Sequence, residues 1–273
     1  MPYLGSDREV DIRELQDLRA FAAGKGIRCI INCSAYTNVD KAEEEEELAR
    51  GINALGAGNI ALVARELGAV MIHVSTDYVF RGDADRPYEE ADPMDPAGAY
   101  GRTKAEGERL VAAAARRHYI VRTAWLYGRY GPNFVYTMLK HMRVKPALKV
   151  VSDQRGTPTW AYDLAHALAD LASRKEGPYG TYHYTNEGQT TWHGFATEIE
   201  RLGREAGILQ KPCTVEAIRS DEYPSKVKRP AWSVLSKAKV RQALGLSTPD
   251  WQASLACFMA QAPSWPELKT RIE

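Results

Sequence analysis

Over the first 150 residues, short apolar runs alternate with segments of helical period, and that alternation restricts the chain to an α/β fold built on a parallel sheet. Residues 27–32, 69–74 and 119–123 read as strands, the first of them buried. Before the first, Asp11 is placed to cap a helix, with Glu14 as its capping-box partner and Leu15, Leu18 and Phe21 on one face. Gly24 and Gly26 close that helix. A long helical stretch over 41–67 is expected to bend near Gly51 or Gly56 to Gly58, and its acidic run, Glu43 to Glu47, reads as a solvated face with no function. His73 reads as a satisfied core histidine.

After Gly128 the rhythm loosens. A helix is expected over 133–142, a short strand over 148–151, a turn at Gly156, Pro158 and Thr159, and a helix from about Ala161. Residues 181–185 alternate as a strand, and Thr190 or Thr191 can cap a helix running to about Ala206. The division expected is a Rossmann-like, doubly wound domain over 1–150 and a smaller, mainly substrate-binding lobe over 151–273. Some chain exchange between them is allowed, with the lobe set against the carboxyl ends of the strands.

With 36 basic and 35 acidic residues, the chain carries no electrostatic footprint for nucleic acid. No apolar run is long enough for a membrane span and no leader pattern is visible, so a cytoplasmic setting is the expectation. Cys29, Cys33, Cys213 and Cys257 have neither disulfide-like nor zinc-like spacing, and Cys29 and Cys33 read as small apolar fillers of a strand. No metal site is legible.

Chemistry is concentrated in two segments. In Ala99-Tyr-Gly-Arg-Thr-Lys104, Tyr100 and Lys104 lie one helical turn apart on one face. An ammonium at that spacing can stabilise a phenolate and lower a phenol's ordinary pKa of about 10. Upstream, Val74-Ser-Thr-Asp-Tyr-Val-Phe80 places Ser75, Thr76 and Asp77 at the end of a strand. A hydroxyl, a phenol and a lysine in that order point to reduction of a carbonyl or the reverse oxidation.

A dinucleotide-binding fold normally opens with a strand and a glycine-rich turn that cradles a pyrophosphate. That motif is not in this sequence. The reading is that the chain starts at the second strand, around residues 2–4, about thirty residues of strand, turn and helix being absent. A central strand and the main phosphate cradle would then be missing and the sheet split. Either the recorded start is too late and the protein is longer and active, or this chain is a truncated reductase with impaired cofactor binding.

Joined to Ile31-Asn-Cys-Ser-Ala-Tyr-Thr-Asn-Val-Asp-Lys-Ala-Glu43, Val121-Arg-Thr-Ala-Trp-Leu-Tyr-Gly128, Asn133-Phe-Val, Asp153-Gln-Arg-Gly-Thr-Pro-Thr159 and Arg229-Pro230, these segments make the chain resemble the dTDP-4-dehydrorhamnose reductases. Those are extended short-chain dehydrogenases/reductases that make dTDP-L-rhamnose. The resemblance implies NADPH or NADH as cofactor and a nucleotide-sugar substrate. Tyr100 would donate the proton to the C4 oxygen, Lys104 would hold the ribose hydroxyls and depress Tyr100, and Thr76 would hydrogen-bond the carbonyl. Asp77, Trp125, Asn133, Gln154 and Arg229 would contact the substrate. Asp11, Ile12, Ala35, Tyr36 and Thr37 would lie along the cofactor. Some members use Mg²⁺ to assemble a dimer; a homodimer is compatible with the resemblance, and nothing in the sequence locates the ion. Trp232 departs from the family's usual Asn after Arg-Pro-Ala.

Two other readings stand beside this one. A regulatory subunit of methionine adenosyltransferase resembles these reductases closely without catalysis. Epimerases and dehydratases also use the scaffold, but dehydratases commonly place a second carboxylate after the Asp, where this chain has Tyr78.

Overall fold

The computed structural model describes residues 2–223 and 227–272. The chain divides into two compact units: residues 1–81, 93–122 and 168–182 make the first, and 82–92, 123–167 and 183–273 the second. Segments are thus interleaved along the chain, and no single boundary falls near residue 150.

The first unit is an α/β layer. Its sheet has four neighbouring strands, in the order β1 (Cys29–Asn32), β2 (Val70–Thr76), β3 (His118–Thr123) and then the strand Gly180–His183. Strands β1 and β2 are parallel, with Cys29 opposite Val70 and Asn32 opposite His73. These four strands are contiguous, so the sheet is not split as expected, and residues 2–4 form no strand. β1 lies at an edge, which corrects its reading as a buried strand: Ile31 is 42% exposed and Cys33 is exposed, while Cys29 is half-buried. β2 carries the apolar run into the centre, with Met71, Ile72 and His73 fully buried.

Helix α1 (Leu15–Ala22) precedes β1 and ends at Gly24 and Gly26, both at positive φ. Asp11 is not its cap. The cap residue is Glu14, with no side-chain bond, and Asp11 instead accepts from the Arg13 backbone at 2.9 Å and pairs with its guanidinium at 2.5 Å. Between β1 and β2 the single helix expected is resolved into α2 (Val39–Ala42), α3 (Glu46–Arg50), a π-helical turn (Gly51–Gly56) and α4 (Ala57–Glu66). The π turn falls at the glycines that signalled a bend. There Gly56 meets Ile12, whose Cγ1 would lie 2.6 Å from any added Cβ. Helix α5 (Ala99–Ala114) covers β2, and Ile60, Ala61, Met71, Val111 and Ile120 close the core between helices and sheet.

One buried ion pair crosses this core. Arg122 on β3 donates to Glu108 on α5 at 2.7 Å, both side chains under 5% exposed, and Ser75 donates to the same carboxylate at 2.5 Å. The Arg122 guanidinium also lies over the Phe80 ring at 4.9 Å.

The second unit has its own core. The pair of parallel strands Ala147–Val151 and Thr214–Ile218 packs with helices Phe134–Met142, Trp192–Glu205 and Trp251–Gln261 around Tyr127, Leu139, Phe195 and Phe258. Of the two caps read from sequence, Thr190 and Thr191, it is Thr191 that caps the helix, accepting from Gly194 at 3.0 Å.

Removing one partner of the Arg122–Glu108 pair leaves a buried charge without its counter-ion. Glu108→Gln should therefore lower unfolding free energy by about 3–5 kcal/mol in urea titration. The double variant Glu108→Leu, Arg122→Met should lose less; equal or greater loss would contradict this reading of the pair.

Candidate active site

β2 runs straight into the site. Its last residue, Thr76, is followed by a 3₁₀ turn (Asp77–Val79), so the Thr76 hydroxyl sits where the strand ends. That hydroxyl donates to Asp77 Oδ1 at 2.9 Å and accepts from the Tyr78 backbone at 3.2 Å. Near it lies the phenol of Tyr100, the second residue of α5, whose titration the Thr76 hydroxyl influences. Tyr78 packs edge-on against Tyr100, ring centroids 5.4 Å apart. α5 approaches this closely because residue 101 is glycine: a Cβ there would lie 2.2 Å from the Tyr78 carbonyl oxygen.

Burial raises the Tyr100 phenol well above its ordinary value, the nearby Thr76 hydroxyl works against that rise, and Asp77 and Tyr78 raise it further. The phenol is therefore protonated at neutral pH, the state a proton donor needs. The expected depression by Lys104 does not appear, for a geometric reason. Lys104 is buried and donates to the Val74 carbonyl at 2.7 Å, with His73 Nε2 at 3.4 Å. Burial brings Lys104 itself down to about 8, against the opposing pull of Glu108 and Cys33. His73 is the core histidine expected: it contacts Asn32 Nδ2 through Nδ1 at 3.1 Å, and burial holds it well below the usual imidazole range.

The acidic run is more than a solvated face. Glu43 accepts from the Ala99 backbone N–H at 2.6 Å, at the first residue of α5. Glu46 pairs with Arg102 at 2.9 Å, and the Tyr36 hydroxyl donates to Glu45. That bond raises the Tyr36 phenol to about 12. Asn53, inside the π turn, was also missed. It accepts from Tyr36 N at 2.8 Å and donates to Tyr36 O and to Thr103 Oγ1, tying the loop after β1 to α5. A polar residue in the middle of an otherwise apolar helical pattern was the available signal.

The first unit thus gathers Thr76, Asp77, Tyr100, Lys104 and Tyr36, with half-buried Ala35 and exposed Thr37 beside Tyr36. Ile12 packs against the core cluster of α4 and α5, and Asn59 donates to the Ile12 and Arg13 carbonyls at 3.1 and 2.9 Å. The Arg13 guanidinium holds the Asp11 carboxyl at about 2.

Trp125, Asn133, Gln154 and Arg229 belong to the second unit. Trp125 has φ of 47°, a strained value for a bulky residue, and stacks on Trp192 with centroids 3.5 Å apart and planes 8° from parallel. A Cβ on Gly156 would lie 2.4 Å from its ring. Asn133 caps a helix, accepting from Tyr136 N at 3.2 Å and donating to the Gly128 carbonyl at 2.8 Å. Gln154 donates to Ser220 Oγ at 2.9 Å, and Arg229 is half-buried. Trp232 donates its backbone N–H to the Gly82 carbonyl at 3.0 Å. Among the described residues, no group of three or more His, Cys, Asp or Glu could hold a metal ion, and no helix is long and apolar enough to cross a membrane.

A threonine hydroxyl at a strand end, facing a tyrosine on a helix that carries a lysine one turn on, is the arrangement of a short-chain dehydrogenase/reductase. The model of the RmlD substrate binding domain matches residues 3–263. The chain belongs to the dTDP-4-dehydrorhamnose reductase family. It is 42% identical over 236 residues to the spore coat polysaccharide biosynthesis protein SpsK of Bacillus subtilis, covering 86% of this chain and 80% of that one. It is 40% identical to the dTDP-4-dehydrorhamnose reductase of Aggregatibacter actinomycetemcomitans, covering 85% and 81%. The solved dTDP-4-dehydrorhamnose reductase of Bacillus anthracis, in complex with NADP, superimposes with a TM-score of 0.87 at 35% identity, covering 94% of this chain and 89% of that chain.

The Glu43 contact satisfies one of the unpaired N–H groups at the start of the helix that carries Tyr100. Glu43→Ala should lower stability by about 1 kcal/mol in chemical denaturation, with Arg102→Ala costing less because that pair is exposed. No measurable change in Glu43→Ala would remove its role as a cap.

Proposed function

We propose that the protein reduces the C4 ketone of dTDP-4-dehydro-L-rhamnose to dTDP-L-rhamnose, an oxidoreductase step of nucleotide-sugar biosynthesis. One observation carries the chemistry: the Thr76 hydroxyl and a protonated Tyr100 phenol meet at the end of β2. A ketone oxygen placed against both accepts from the phenol and, once the Thr76 hydroxyl turns its proton from Asp77, from Thr76 as well, and the phenol gives up its proton as negative charge develops on that oxygen. When bound, a reduced nicotinamide supplies the hydride, so the chemistry needs no metal.

The donor set suits such a cofactor. Lys104 uses one of its three N–H donors on the Val74 carbonyl and has others for ribose hydroxyls. Ala35, Tyr36 and Thr37 follow β1, where open sheets receive dinucleotides, and Asp11 and Ile12 are assigned to the adenosine end. Asp77 is assigned to the sugar. In the second unit, Trp125 would give the sugar a flat wall, and Asn133, Gln154 and Arg229 would contact polar or diphosphate groups, a guanidinium fork suiting phosphate oxygens. Tyr78 stands where a dehydratase would carry a second carboxylate, and its ring packs on Tyr100, which favours simple reduction over elimination.

The test is NADPH oxidation with dTDP-4-dehydro-L-rhamnose, following the product sugar by NMR. Tyr100→Phe should cut turnover by about 10²–10⁴ while leaving substrate affinity within a few-fold. Wild-type turnover in that variant would take Tyr100 out of the reaction.

A further inference from the structure

Behind Lys104 lies a buried polar chain that the reaction as proposed does not use. It runs from the Ser34 backbone through Asn32 and His73 to the lysine amine, and its donors and acceptors can be assigned in order. The Ser34 N–H can only donate, and it donates to Asn32 Oδ1 at 2.9 Å. That fixes the Asn32 amide, so Nδ2 is the atom facing His73 Nδ1 at 3.1 Å. Nδ2 can only donate, and His73 Nδ1 must therefore accept. Burial keeps the ring neutral, and a neutral ring that accepts at Nδ1 carries its proton on Nε2. Nε2 faces Lys104 Nζ at 3.4 Å. An ammonium has only donors to offer there; a neutral amine has a lone pair that accepts the Nε2–H.

We infer that Asn32 and His73 form a positioning dyad that sets the protonation of Lys104 by presenting it a fixed hydrogen-bond donor. Asn32 and His73 are directly opposite in the β1–β2 register, so the dyad is built into the strand pairing. The other titratable groups around Lys104 oppose it or are engaged elsewhere. Glu108 on the same helix and Cys33 after β1 favour the ammonium, but Glu108 is held by Arg122 and Ser75. Tyr100 lies near Thr76, and Asp77 accepts from the Thr76 hydroxyl. On the elements packed against α5, Arg50 binds Glu106, Glu46 binds Arg102 and Glu43 binds the Ala99 N–H. A lysine near 8 is charged enough to bind hydroxyls at neutral pH, yet gives up its proton far more readily than an exposed one.

The catalytic consequence rests on the reductase reading; the dyad itself does not, and it is measured without substrate. Long-range ¹H–¹⁵N correlation on histidine-labelled protein distinguishes the tautomers, and the His73 signal is the one lost in His73→Gln. The dyad requires the Nε2–H form in the wild type; the Nδ1–H form would overturn it. In His73→Gln the side-chain amide can turn its carbonyl to the ammonium. The Lys104 midpoint, followed by ¹³C-lysine NMR, should then rise by about one pH unit or more. An unmoved midpoint would equally refute the dyad. Should His73→Gln not fold, the wild-type spectrum alone decides, its His73 signal being assigned by the loss of its Nδ1 partner in Asn32→Ser. If both NMR results hold and NADPH oxidation is absent, the reductase reading fails and the dyad stands. If turnover is present and the tautomer is wrong, the reverse follows.

Discussion

The site depends on one juxtaposition, the Thr76 hydroxyl brought near the Tyr100 phenol. Its two partners come from different elements, the end of a buried strand and the first turn of a helix, so it exists only where β2 and α5 are held in one register. The phenol's raised pKa keeps it protonated, and the Thr76 hydroxyl beside it is held by Asp77 and the Tyr78 backbone. In the proposed reaction the phenol is the proton donor and the Thr76 hydroxyl, turned from Asp77, the oxyanion's second partner.

α5 is located from several sides at once. Glycine at 101 and 107 lets it touch backbone: a Cβ would lie 2.2 Å from the Tyr78 carbonyl oxygen at the first and 2.1 Å from the Asn53 carbonyl oxygen at the second. Glu43 and Glu46 hold its first turn, Asn53 reaches Thr103, and the buried Arg122–Glu108 pair ties its middle to β3. Buried ion pairs add little net stability against apolar packing, but they tolerate little displacement. Here they oppose sliding of the helix that carries Tyr100 and Lys104.

Much of this was legible in the sequence. The strands β2 and β3, the helix bearing Tyr100, the cap at Thr191 and the bend at Gly51 to Gly56 followed from periodicity and from residues with restricted backbone roles. What escaped was set by partners distant in sequence. β1 has the composition of an interior strand, yet it lies at an edge of the described sheet, because period alone does not count neighbours. The run Glu43 to Glu47 looked like a solvated face because its partners, Ala99 and Arg102, lie 56 residues away. Asp11 followed by Glu14 had the spacing of a capping box, and an arginine two residues on took the carboxylate instead. Lys104 had the right spacing to act on Tyr100, but burial directed its amine to the Val74 carbonyl and His73. Local pattern placed the residues; tertiary contacts chose among their partners.

The account stands or falls on whether the Thr76 hydroxyl serves the reacting ketone. Thr76→Val keeps the shape and removes the oxygen. Its kcat/KM for dTDP-4-dehydro-L-rhamnose with saturating NADPH, near neutral pH, should fall by about 10² or more. An unchanged kcat/KM in a folded variant would contradict the account.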